Sequence, residues 1–166
     1  MLKTSLNQLE LLLNIKIKLY QGLRNILIEE KNVIGKGNIS LFQKFLLKKE
    51  LILKKLRDLE ENRKTILIKI ALEMDISFDD ISLSKIIKNT NGSTGAKLAQ
   101  SRKQLIELVN AIDKQLTYNE KLVSKSSKSN NRVLGFFNRF NKNFSYASDG
   151  KIGHSVHKSW MLNAEV

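Results

Sequence analysis

Apolar residues in the first part of the chain recur with a period that suits a helix. Leu6, Leu13, Tyr20, Leu27 and Ile34 stand seven apart, with Leu12, Leu19, Ile26 and Val33 one position before the last four of them. A helix over about 5–34 gathers both rows into one broad stripe, and Ser5-Leu6-Asn7-Gln8 has the form of a capping box at its start. Gly35 and Gly37 then break the pattern. Ser40-Leu41-Phe42-Gln43 repeats the box, and the spacing predicts a second helix over about 40–74. There Phe45, Ile52, Leu59 and Ile66 hold a strict heptad, supported by Leu46, Leu53, Leu67 and Met74. The turn is short, so the two helices are expected as antiparallel neighbours, each ~45 Å long at 1.5 Å per residue. The expected seam between them is Leu6, Leu13, Tyr20, Leu27, Phe45, Ile52, Leu59 and Ile66; an aspartate at Leu13 or Ile52 is expected to unfold it.

From Ile76 to Gly95 Ser, Asp and Asn dominate, apart from a short helical candidate over 82–88, so the segment reads as a connector. A third long helix over about 94–124 carries Leu98, Leu105, Ile112 and Leu116, with Val109 and Val123 beside them. Asn119, Ser126 and Asn130 fall where this register calls for apolar side chains, so the stripe is expected to fail there, and KSSKSNN reads as a polar hinge of poor helix formers. Beyond it Val133, Phe136, Phe137, Phe140 and Phe144 recover helical spacing over about 131–144, flanked by Arg132, Arg139 and Lys142. The rest has no period. The fold class predicted is all-α: an elongated antiparallel bundle or coiled-coil hairpin of three long helices, with a short connecting helix and a flexible C-terminal tail. Residues 1–144 form its single domain and 145–166 its tail.

The composition excludes several classes. Leu and Ile together supply 43 of the 166 residues, enough apolar surface for one domain. Lysine or asparagine interrupts the longest apolar stretches, so no segment approaches the ~20 apolar residues of a membrane span. The opening MLKTSLNQLE lacks a basic start leading into an apolar run, which makes the cytoplasm the expected location. No cysteine is present, so disulfides and thiolate metal sites are excluded. The formal charge of +13 attracts polyanions in general. However, 23 of the cations are Lys and 6 Arg, whereas base and phosphate recognition favours the bidentate Arg fork. Residues 1–75 also interleave 15 basic with 9 acidic side chains, so much of the charge reads as a solvated helical face and a nucleic-acid reader is not expected.

Motifs for catalysis are equally scarce. Asn91-Gly92-Ser93-Thr94-Gly95-Ala96-Lys97 has its glycines three apart and no preceding strand, so it fails as a phosphate loop and reads as a turn opening the third helix. His154 and His157 are two ligands at most and lie in the tail. With carboxylates scattered over polar faces, no cofactor, metal site or enzymatic activity is expected. That leaves the Phe-rich segment, which reads as the closing turn of the core, a membrane-surface helix, or a helix that docks on a partner.

Several features, taken in order, resemble the FlgN-type flagellar export chaperones over about residues 5–151. They are the turn Gly35-Lys36-Gly37-Asn38, the patch Leu59-Glu60-Glu61-Asn62-Arg63, and the short helix Ser82-Leu83-Ser84-Lys85-Ile86. A third helix containing Leu116-Thr117-Tyr118-Asn119-Glu120 and the tail motif Tyr146-Ala147-Ser148-Asp149-Gly150 complete the series. The resemblance implies a cytoplasmic chaperone that binds the helical end of hook-associated junction proteins, prevents their premature self-association, and delivers them to the flagellar type III export gate. It further implies that Val133, Phe136, Phe137, Phe140 and Phe144 take the substrate protein and that Tyr146 docks on the gate. The expected state is a monomer or weak dimer. The alternatives are a structural or adaptor coiled coil, which should hold its heptads through residues 119–130, and a basic helical protein that binds nucleic acid or an anionic membrane.

Overall fold

The computed structural model describes residues 2–36, 38–126 and 135. Among the described residues the helices are α1 (Leu2–Lys36), α2 (Ile39–Met74), α3 (Leu83–Asn89) and α4 (Gly92–Ser126), with a 3-10 turn at Phe78–Asp80 and no strand. Helix α1 is the hub, and α2 and α4 both pack along it. Helix α2 runs antiparallel to α1, pairing Lys16 with Glu60 and Glu30 with Lys49. Helix α4 runs parallel to α1, as Glu10–Lys97 near one end and Glu30–Asn119 near the other require. Apart from Gly135, which is helical, the expected helix over 131–144 lies outside the described residues.

Local chemistry explains the ends, and it differs from the sequence reading at two of them. Helix α1 begins at Leu2, so Ser5 is inside its first turns and buried rather than a cap. Helix α2 is capped by Asn38, whose side-chain oxygen accepts from the Leu41 amide at 3.0 Å, two residues ahead of the Ser40 expected as the cap. Its other end stops at Asp75, which adopts the left-handed conformation and donates its amide to the Ala71 and Leu72 carbonyls. Ser82 caps α3 by accepting from the Lys85 amide. The connector does more than link. Ile81, Leu83 and Ile86 are fully buried in the main core, and α3 packs on α4. At Gly95 a β-carbon would stand 2.1 Å from the Thr90 carbonyl oxygen, so the first turn of α4 lies against the end of α3 in a way only glycine permits. The glycine-rich stretch is thus a helix start.

The core of each long helix follows heptads that admit charge. In α1 the buried rows are Leu6/Leu13/Tyr20/Leu27/Ile34 and Leu9/Lys16/Leu23/Glu30. In α2 the inward rows are Phe42/Lys49/Leu56/Arg63/Ile70 and Leu46/Leu53/Glu60/Leu67/Met74, with Leu56, Glu60, Arg63 and Met74 only partly covered. The second half of the expected seam is covered unevenly, with Ile52 and Ile66 packed against the main core from its edge. Phe45 is buried, but Ile52, Leu59 and Ile66 are half-buried on the flank, with Ile52 lying over Gly22 of α1. In α4 the rows Leu98/Leu105/Ile112/Asn119 and Val109/Leu116/Val123 are all buried, as is Ser101. The stripe therefore does not fail at Asn119, because α4 continues to Ser126 with the asparagine fully enclosed and Val123 packed beyond it.

Candidate functional site

Two polar layers cross this core, two heptads apart on α1. The first joins Lys16 to Glu60 at 3.4 Å, and Glu60 also accepts from Arg63 Nε at 2.7 Å. Burial pulls the Lys16 ammonium below the usual lysine range, and Glu60 offsets only part of that. Burial alone would raise the Glu60 carboxyl, but Lys16 and Arg63 together overcome it and hold the group below its ordinary value. Tyr20, buried beside this layer, has its phenol pushed up, chiefly by burial and further by Glu60. Glu60 and Arg63 of the Leu-Glu-Glu-x-Arg patch thus serve inward packing, while Glu61 pairs outward with Lys64.

A depressed carboxyl makes stability depend on pH. Glu60 contributes fully above its unfolded value, near 4.5, and its contribution is lost as pH falls through the lower folded value. Glu60→Gln should therefore lower stability at neutral pH and flatten its decline below about pH 4.5. Urea unfolding followed by circular dichroism at a series of pH values would check this; an unchanged acid limb would show that Glu60 is not coupled to Lys16 and Arg63.

The second layer is wholly enclosed. Lys49 donates to Glu30 Oε1 with both side chains fully buried, and the Lys49 ammonium also lies 5.6 Å from the centre of the Phe42 ring. Glu30 Oε2 accepts from Asn119 Nδ2 at 3.1 Å; the same amide donates to the Leu27 carbonyl at 2.8 Å, and Asn119 Oδ1 accepts from Gln115. Burial lowers the Lys49 ammonium, and Glu30 restores part of it. This layer ties α1, α2 and α4 at one level and divides the core. On one side lies the main apolar cluster; on the other lies a small one of Val33, Ile34, Phe42, Phe45 and Val123, flanked by Ile26 and Leu122.

The small cluster lies at the end from which the chain leaves α4 toward the Phe-rich segment. Val133, Phe136, Phe137, Phe140, Phe144 and Tyr146 lie outside the described residues. Of the other residues that carried the resemblance, Leu83 and Ile86 are buried in the core, as are Leu116 and Asn119, whereas Tyr118 is exposed with Lys31 4.9 Å above its ring. Sequence reasoning missed Lys16, Glu30 and Lys49 because it followed apolar residues only. The available signal was the opposite charges at 16 and 30 in one helix, answered by 60 and 49 in the next.

Among the described residues, no cluster of His, Asp and Glu could hold a metal ion, and no helix is long and apolar enough to cross a membrane. The class defined is an all-helical bundle of heptad-packed helices, in which the acids and bases brought together serve packing. A family model described as FlgN protein matches residues 1–153, and the chain belongs to that family. The family is one of flagellar export chaperones. No curated protein and no solved structure matches the chain.

Proposed function

We propose that this chaperone binds the C-terminal helical segment of hook-associated junction proteins in the cytoplasm, holds it from premature self-association, and hands it to the flagellar type III export gate. The family match over residues 1–153 carries the reading. Chemistry adds a route. Four of the seven phenylalanines lie at 136, 137, 140 and 144, beyond a polar stretch, and phenylalanines can bury a large apolar area on a partner helix. Val133 continues the same sequence spacing, and Tyr146, two residues past Phe144, is the residue assigned to the gate.

The test replaces Phe136, Phe137 and Phe140 with Ala. Client binding, measured by co-purification with a junction protein, should be abolished while the melting temperature of the free chaperone stays within a degree or two, since large-to-small changes cost several kcal/mol only in a packed core. Tyr146→Ala should leave the client complex intact and stop secretion. A triple variant that melts several degrees lower would make the Phe cluster core and move the client site onto the bundle.

A further inference from the structure

The first half of α2 has an outward face that the bundle does not use. Between Lys44 and Arg57 the sequence places six cations against one acid, Glu50. Lys49 turns inward to Glu30; Lys44, Lys48, Lys54, Lys55 and Arg57 are exposed and form no ion pair among the described residues. Among these cations stand two leucines one turn apart, Leu47 at 66% and Leu51 at 55% exposure. Helical angles at 100° per residue place Leu47 and Leu51 along the middle of this face, with Lys44, Lys48 and Lys55 on one side and Lys54 and Arg57 on the other.

An apolar line edged by cations on both sides is the pattern by which one helix selects another in a coiled coil. The leucines supply area, and the flanking charges choose the partner's sign. We infer that this face of α2 docks a partner protein through an acidic amphipathic helix, one with aliphatic residues at heptad spacing and Asp or Glu along both borders. Charge decides among occupants. A second copy would set the same lysines against each other, and residues 127–144 carry four cations and no acid, so neither complements the face. Nucleic acid has no use for two exposed leucines, and this face offers no exposed aromatic side chain on which bases could stack. A flat anionic membrane would meet Asp58, which is exposed and on the same line as the leucines, whereas a helix can pass that position with a basic or neutral residue.

The experiment uses the full chain and two fluorescent peptides about three heptads long, both with leucine at the core positions, one flanked by glutamate and the other by lysine; vesicles of phosphatidylglycerol form a third arm. The acidic peptide should bind and the basic one should not. Leu47→Ser with Leu51→Ser should weaken binding about tenfold without moving the melting temperature, because both side chains are already in water. The variant K44E/K48E/K54E/K55E should exchange the preference and take the basic peptide. Acidic-peptide binding that ignores the leucine substitutions would reduce the effect to charge alone and overturn the proposal, as would failure to bind either peptide or preferential binding to vesicles. Because Phe136, Phe137 and Phe140 are untouched in these variants, junction-protein binding reports on the client reading separately.

Discussion

Lys49→Met will destabilise the protein by about 3–5 kcal/mol, although methionine matches the shape of the lysine stem. The substitution leaves Glu30 enclosed between three helices with its cation gone and, among the described residues, only Asn119 still donating to it. An uncompensated buried charge is among the costliest single changes a domain can suffer. The same layer made entirely apolar, as Glu30→Leu, Lys49→Met and Asn119→Leu together, should recover most or all of that loss, because desolvating an ion pair consumes much of its attraction. Urea denaturation of the wild type, Lys49→Met and the triple variant would measure both effects. If Lys49→Met cost under about 1 kcal/mol, as expected of a solvated pair, the layer would be open to water.

Leu13→Asp will prevent folding under ordinary conditions, while Ile52→Asp will leave a folded protein of reduced stability. Leu13 is 2% exposed in the main cluster. A carboxylate there is taken out of water, and the cost of several kcal/mol is comparable with the whole stability of a small domain. Ile52 lies half-buried over Gly22, where an aspartate can reach water. Helical content by circular dichroism and the urea midpoint distinguish the two; equal loss in both would restore Ile52 to the seam.

That contrast shows where the sequence could be read and where it could not. In α1 the most regular apolar row, Leu6 to Ile34, is also a core row, so period and burial agree. In α2 the purest apolar heptad is buried at Phe45 but only half-buried at Ile52, Leu59 and Ile66, because the inward rows contain Lys49, Glu60 and Arg63. A charged residue at a core position looks polar in sequence, and only its partner on another helix reveals why it is there. Asn119 misled in the same way: its amide is satisfied by Leu27, Glu30 and Gln115, from positions as distant as 92 residues. The helix boundaries were legible within a few residues because glycines and polar caps are local. The parallel run of α4 along α1 was not, since periodicity carries no direction. The client segment was read from its phenylalanines and the family resemblance, and it rests on those still.

The parallel pairing of α1 and α4 also bears on how the chain is made. Leu27 and Glu30 leave the ribosome 92 and 89 residues before Asn119, which completes their layer. During that interval α2 can fold back on α1, since the hairpin closes through a short turn, but the side of α1 that α4 covers has nothing yet to cover it. A newly made chaperone of this design is therefore, for part of its own synthesis, a hairpin with an open apolar flank, in the same predicament as an unfolded client.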